Sequence, residues 1–97
     1  SLNGTMAEKN DPNIDTLNTA VSTLVEISAN PSTPRNIKKD LTELIAELKK
    51  SNSPVPVRAA NAISALDEIS QDPNMPSYVR VTLWQAVSAL ERIREKE

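Results

Sequence analysis

The chain has 97 residues, and its 11 Lys+Arg and 13 Asp+Glu give a formal net charge of −2. It contains no Cys, no His, no Phe, one Gly and only two aromatic residues. This composition excludes a disulfide framework, Cys- or His-based metal sites, catalysis by a thiolate or an imidazole, and Gly-rich phosphate-binding loops. The absence of a basic excess also argues against a dedicated nucleic-acid binder.

Residues 1–5, ahead of Met6, look like the remnant of an expression vector, and residues 6–12 are predicted to form an N-terminal arm. Residues 13–97 are predicted to form a single domain, since one core commonly serves a chain of this size. No apolar run approaches the roughly 20 residues of a membrane-spanning helix, and no secretory signal precedes the domain. We therefore expect a cytoplasmic protein without a membrane partner.

Prolines separate four segments whose apolar residues recur 3 and 4 positions apart, which is typical of amphipathic helices. The pattern predicts helices at about 13–29, 34–50, 56–70 and 76–95, with Asp11 and Thr33 capping the first two. The predicted inward-facing residues are Ile14, Leu17, Val21 and Leu24; Ile37, Leu41, Leu44, Ile45 and Leu48; Ile63, Leu66 and Ile69 with Ala59, Ala60, Ala62 and Ala65; and Val79, Leu83, Ala86, Val87, Leu90 and Ile93. No segment alternates with a period of two, so an all-α chain is expected.

A 42-residue internal repeat relates the two halves of the chain. When residues 11–50 are aligned with residues 53–92, 11 of the 40 positions are identical, and they fall on core positions, helix starts and the interhelical turn. Each repeat predicts one αα-hairpin. Two hairpins bury all four apolar stripes by closing into an antiparallel four-helix bundle. The alternative is a two-repeat stack like that of HEAT proteins, although such stacks usually need at least three repeats.

The turn of each hairpin has the same sequence signature. Asn30 or Asp72 precedes a Pro, which disfavours helical backbone and ends the first helix of the hairpin. Glu26 and Glu68 stand at matched positions before the turn. We expect each carboxylate to accept a hydrogen bond from turn amides or a basic side chain, and the alternative is a functional carboxylate pair.

Two runs of the second repeat, Val-Arg-Ala-Ala-Asn-Ala-Ile at 57–63 and Leu-Asp-Glu-Ile-Ser-Gln-Asp-Pro-Asn-Met-Pro at 66–76, are similar to an uncharacterised archaeal family of small all-helical proteins. The Pro-Arg-Asn-Ile run at 34–37 and Leu83-Trp84 fit the same family, so the similarity covers about residues 14–93. The resemblance implies a small helical bundle from an archaeal cytoplasm, with no catalytic residue or cofactor to carry over. The repeat length and Pro-Val-Arg-Ala-Ala at 56–60 resemble HEAT repeats more weakly.

A candidate basic patch comprises Arg35, Lys38, Lys39, Arg58 and Arg80, all near predicted helix starts. If these helix ends lie together, the patch could contact the phosphates of RNA. No aromatic residues are interleaved for base stacking, so a nucleic-acid partner is disfavoured. Arg58 and Arg80 are better explained by ion pairs with Asp or Glu on a neighbouring helix.

Asp40, Glu43 and Glu47 share one face of the second predicted helix, where carboxylates could bind a metal ion. Di-iron bundles combine such carboxylates with His, which is absent, and calcium loops need a Gly turn. The better interpretation is a solvated acidic face paired with Lys39 and Lys50. The sequence predicts neither a metal nor a cofactor.

Tyr78, Val81 and Trp84 recur three residues apart beside the core stripe of the last helix. The first repeat has polar residues at the three matched positions, so this face became apolar in the second copy alone. Trp and Tyr are enriched in interface hot spots, which makes these residues a candidate interface. Alternatively the face packs within the monomer, under the N-terminal arm, and in either case Val25 and Val57 could extend it.

These observations favour a non-enzymatic protein that uses the last helix to bind a protein partner or to form a homo-oligomer such as a dimer. The alternative is an RNA- or ribosome-associated protein that uses the basic helix starts. Ser, Thr, Asp, Glu and Lys are available for catalysis, but no motif pairs a nucleophile with a base. The sequence therefore predicts no enzyme and no catalytic residue.

Overall fold

The structure is a computed structural model, and it describes residues 12–50 and 53–93. These residues form four α-helices and no strand: α1 (Pro12–Ala29), α2 (Arg35–Lys49), α3 (Val55–Ile69) and α4 (Ser77–Glu91). The all-α prediction is confirmed. The predicted vector remnant, the arm as far as residue 11 and the predicted cap at Asp11 lie outside the described residues.

Proline residues set the starts of α2, α3 and α4. Pro34, Pro54 and Pro76 occupy the N-cap positions with extended backbone, at ψ between 146° and 151°. Each proline carbonyl accepts the amide hydrogen of the residue four positions later, at N···O distances of 2.9, 3.0 and 3.1 Å. Proline fits there because an N–H at this position would have no acceptor within the helix, so its absence leaves no helical hydrogen bond unmade. Thr33 makes no capping hydrogen bond to α2, so its predicted capping role is wrong.

The hairpin turns repeat at the level of single hydrogen bonds. The Asn30 Oδ1 accepts the Ser32 amide hydrogen at 2.8 Å, and the Asp72 Oδ1 accepts the Asn74 amide hydrogen at the same distance. Such a bond from an Asn or Asp side chain to the backbone two residues later fixes a tight turn. The 42-residue sequence repeat is therefore also a repeat of turn geometry.

Serine hydroxyls, rather than glutamate carboxylates, satisfy backbone groups just before these turns. Ser28 and Ser70 each donate to the carbonyl three residues earlier, at 3.0 and 2.8 Å. Glu26 and Glu68 are exposed, and neither side chain has a hydrogen-bond partner among the described residues. The expected hydrogen bonds of these two carboxylates are therefore wrong.

The four helices close into a ring around one core. Helix α1 packs against α2 and, most extensively, against α4, while α3 packs against both α2 and α4. Helices α1 and α3 also touch across the centre of the ring, whereas the described residues of α2 and α4 do not meet. A two-repeat stack would set α2 beside α4. The arrangement is therefore the predicted four-helix bundle.

Two hydrogen bonds show that both hairpin turns lie at one end of the bundle, here called the turn end. The Thr33 Oγ1 lies 3.3 Å from the Tyr78 Oη, and the Asn36 Nδ2 donates to the Asp72 Oδ2 at 2.6 Å. The connection between α2 and α3 consequently lies at the opposite end, here called the connection end. Successive helices run antiparallel, as predicted.

The core is built from equivalent residues of the two repeats. Ala20 and Ala62, Leu24 and Leu66, Ile37 and Val79, Leu41 and Leu83, and Leu48 and Leu90 form matched pairs whose members are at most 2% exposed. The predicted core residues Ile14, Ile63, Ala65, Ile69 and Val87 are only partly buried against this cluster, and Ala60 is exposed. Helix α4 ends at Glu91, earlier than the pattern indicates, because a turn bonded from the Ile93 amide to the Leu90 carbonyl at 3.0 Å follows it. Ile93 remains buried despite leaving the helix.

Candidate interaction surface

The apolar residues predicted as an interface are exposed on α4. Tyr78 is 40% exposed, Val81 54% and Trp84 71%. The core stripe of the same helix lies on another face, where Val79 and Leu83 are almost fully buried. Trp84 therefore presents a large apolar ring outside the core.

The structure separates these three residues into two places. Each step of three residues turns about 300°, so Tyr78 and Trp84 end up about 120° apart around the helix axis. The Tyr78 hydroxyl lies beside Thr33 in the turn between α1 and α2. Val81 and Trp84 instead line a groove between α3 and α4. Val81 and Trp84 thus share one groove, and Tyr78 lies outside its lining.

The groove has a volume of about 700 Å³ and combines an apolar floor with a polar margin. Its apolar lining is Ile63, Leu66, Val81, Leu83, Trp84 and Val87, and its polar lining is Ser64, Asp67, Ser70, Arg80 and Glu91. Apolar centres ringed by polar groups are typical of protein-binding surfaces. Val25 and Val57, also exposed, do not line this groove, so they do not extend the surface as suggested.

Helix α3 forms the other wall of the groove through Ile63, Ser64, Leu66, Asp67 and Ser70. Its alanines lie elsewhere: Ala59 and Ala62 are buried in the core, and Ala62 and Ala65 line a gap towards α2. Helices α3 and α4 pack less extensively than the equivalent pair α1 and α2. This looser packing leaves a gap beside α4. The contribution of α3 to the groove could not be predicted from the sequence, because no pattern within one helix indicates how wide the gap to the next helix is.

The candidate basic patch is divided between the two ends of the bundle. Arg35, Lys38 and Lys39 lie in the first turns of α2 at the turn end, where Arg80 also lies, whereas Arg58 begins α3 at the connection end. The two ends are about 20 Å apart, since each helix of 15 residues rises about 1.5 Å per residue. An RNA-binding surface would therefore rest on four of the five predicted residues.

Two arginines of the candidate patch bond to backbone carbonyls at or just after the end of the preceding helix. The Arg58 Nε donates to the Ser53 carbonyl at 2.9 Å and its Nη1 to the Leu48 carbonyl at 3.1 Å. The Arg80 Nη1 donates to the Ser70 carbonyl at 2.9 Å. Carbonyls at a helix end lack intrahelical donors and carry the negative pole of the helix dipole. The expected ion pairs of Arg58 and Arg80 with carboxylates are not formed among the described residues.

The predicted acidic face lies along a second groove, between α2 and α3. Asp40, Glu43 and Glu47 line it together with Glu68, in a volume of about 790 Å³. Glu47 pairs with Lys50 at 3.2 Å, both side chains being exposed, whereas the expected pairing with Lys39 is not found in the described part of the chain. Within residues 12–50 and 53–93 no group of three or more carboxylates is arranged to hold a metal ion.

The sequence profile of an uncharacterised protein family, UPF0147, matches residues 4–93. The chain belongs to this family. The archaeal family resemblance noted in the sequence is thereby confirmed.

Two solved structures have the same fold. The chain is 39% identical to MMP1188, a Methanococcus protein of unknown function, with a TM-score of 0.81 and coverage of 88% of this chain and 96% of that one. It is 31% identical to a UPF0147 protein from Thermoplasma acidophilum, with a TM-score of 0.76 and coverage of 82% and 94%. A comparison with curated protein sequences finds no significant match.

The region shared with UPF0147 includes every residue that lines the groove between α3 and α4. None of the helices described in this UPF0147 chain is both long enough and apolar enough to cross a lipid bilayer. The groove presents an apolar surface between two groups of opposite charge. Arg80 lies towards the turn end, and Glu91 lies at the other end of α4.

Proposed function

We propose that this UPF0147 protein is a non-enzymatic interaction module that binds a polypeptide in the groove between α3 and α4. The observation that carries the proposal is the exposure of Trp84, 71%, at the edge of an apolar groove. Covering the 71% of the Trp84 side chain that is exposed contributes about 3–4 kcal/mol, taking roughly 150–250 Å² for a whole Trp side chain and about 25 cal/mol per Å². We also propose that the protein acts in the cytoplasm, since a chain without Cys needs no oxidising compartment to form disulfides.

The shape of the groove favours a helix as the bound element. Its lining follows α4 from Arg80 to Glu91, about 16 Å of helix at 1.5 Å per residue. An amphipathic helix placed in such a groove buries one apolar face and leaves its polar face in water. The polar margin, with Asp67 on α3 and Arg80 on α4, would surround the apolar contact and exclude water from it.

Trp84→Ala tests the proposal. It removes the largest exposed apolar side chain of the described surface, so we expect loss of self-association or of partner capture by at least tenfold. The measurements are mass by light scattering across a concentration series and affinity capture from native lysate. Because Trp84 is mostly exposed, we expect the melting temperature of the bundle to change little.

Val81→Ala and Val57→Ala provide a matched pair. Both valines are exposed on helices, 54% and 42%, but only Val81 lines the groove. We expect Val81→Ala to weaken binding and Val57→Ala to leave it unchanged. Unaltered mass and unaltered capture in Trp84→Ala would contradict the proposal.

A further inference from the structure

Four groove-lining residues of α4 form a self-complementary series. Arg80, Trp84, Val87 and Glu91 follow at intervals of 4, 3 and 4 residues, so the spacing is the same in both directions along the helix. At 100° per residue, all four lie within an arc of about 60° around the helix axis. These intervals are those of the a and d positions of a coiled coil.

We propose that the partner of this surface is a second copy of the chain, bound through α4 in antiparallel orientation about a two-fold axis. This inference rests on the proposed function. Reversing the helix direction places Arg80 opposite Glu91 of the second copy and Trp84 opposite Val87 of the second copy. Two-fold symmetry forms each contact twice.

The charges at the two ends of this series favour a second copy of the chain as the partner. Arg80 and Glu91 are both exposed, and neither forms an ion pair among the described residues. Arg80 uses one of its five N–H groups on the Ser70 carbonyl and retains others for a carboxylate. One cation and one anion at opposite ends of an apolar stripe match an antiparallel copy of that stripe and oppose a parallel one.

The groove also provides room for the second helix on its α3 side. Trp84 of each copy would lie over the gap between α3 and α4, against Ile63 and the apolar floor. Burying the two tryptophans removes roughly 200–350 Å² of accessible surface from water. Together with one helix face per copy, this gives a buried area at the low end of the range found for specific protein–protein interfaces. We therefore expect the association to depend on protein concentration.

Charge reversal tests the orientation and the pairing together. Sedimentation equilibrium of the full chain should show the mass rising from one to two times 10.6 kDa as concentration increases from about 1 µM to 1 mM. Arg80→Glu alone, or Glu91→Arg alone, places like charges together at both symmetric contacts, and we expect the dimer Kd to rise at least tenfold. An equimolar mixture of the two variants has opposite charges at both contacts and should associate within about threefold of the wild-type Kd.

Lys49→Glu on α2 and Glu26→Lys on α1 are the charge-matched controls, because both residues are exposed and lie outside the groove. We expect their dimer Kd to stay within twofold of wild type. Because Arg80→Glu also removes the bond to Ser70, its folding is checked by circular dichroism. The mixture separates loss of folding from loss of association, since an unfolded variant would not be rescued.

The possible failures can be told apart. A wild-type chain that stays monomeric at 1 mM while Trp84→Ala abolishes capture of another protein overturns the second copy and leaves the proposed function standing. A monomeric chain whose capture is insensitive to Trp84→Ala overturns both. Dimerisation that the variant mixture does not restore overturns the antiparallel pairing.

Discussion

At the scale of single residues, Thr33 shows how the two repeats differ inside a shared geometry. Its matched residue in the second repeat is Met75, and the two side chains are 4% and 7% exposed. The Thr33 hydroxyl donates its one hydrogen to the Ile27 carbonyl at 2.7 Å. The contact with the Tyr78 hydroxyl at 3.3 Å therefore has Tyr78 as donor. A single hydroxyl thus links the end of α1 to the start of α4.

Thr33→Val should destabilise the fold by about 1 kcal/mol, because Val preserves the shape of Thr but cannot donate to the Ile27 carbonyl. The loss is limited, since that carbonyl also accepts the Asn30 amide hydrogen at 3.1 Å. Thr42→Val is the matched control: its exposed hydroxyl bonds to the Lys38 carbonyl at 2.8 Å, and we expect a change within about 0.5 kcal/mol. Urea unfolding measures both, and equal losses would contradict the role of Thr33.

Residue-level chemistry was the least predictable part of the fold. Thr33 matched the sequence pattern of a helix cap, but its neighbour Pro34 takes that position and Thr33 bonds backwards to α1 instead. Arg58 and Arg80 were expected to pair with Asp or Glu on a neighbouring helix, yet both donate to carbonyls ten residues earlier. Such partners depend on how the chain turns between helices, and side-chain types alone do not encode that path.

At the scale of elements, the existence and order of the helices followed from apolar periodicity and proline positions. This worked because Pro34, Pro54 and Pro76 all occupy N-caps and none lies inside a helix. The candidate surface was only half predictable. Val81 and Trp84 were found from their spacing on α4, whereas the groove beside them depends on the packing distance to α3.

Small residues at equivalent positions allow α1 and α3 to approach across the bundle. Ala20 on α1 and Ala62 on α3 are both fully buried, and these two helices touch directly. Ala62→Leu should therefore destabilise the fold by about 1–3 kcal/mol through overpacking. Ala60→Leu, at an exposed position of the same helix, should change stability by less than about 0.5 kcal/mol. Thermal melts of the two variants provide the comparison, and similar melting temperatures would contradict close packing at Ala62.

At the scale of the whole molecule, neither hairpin encloses a core of its own. The fully buried residues Leu24 and Leu66 belong to different repeats, and the most extensive helix contact, between α1 and α4, also joins the two repeats. Each hairpin alone would leave its apolar stripes in water. The stability of the bundle therefore depends on association between repeats, in the way that repeat proteins depend on their neighbours.

Separate fragments of residues 1–51 and 52–97 test that dependence. We expect each fragment alone to show weak helical circular dichroism at about 10 µM, because a pair of short helices without its partner exposes most of its core face. An equimolar mixture should recover most of the helical signal of the intact chain. Strong helicity in either fragment alone would show that a hairpin folds independently and would contradict the shared core.

The position of the two hairpin turns at one end of the bundle has a topological consequence. The link between repeats and both outer ends of the described helices, at Pro12 and Glu91, share the opposite end. Helix packing therefore does not depend on which repeat comes first in the chain. A circular permutant, opened between α2 and α3 and joined from the last residue to the first, would present the same four helices to the same core in a new chain order.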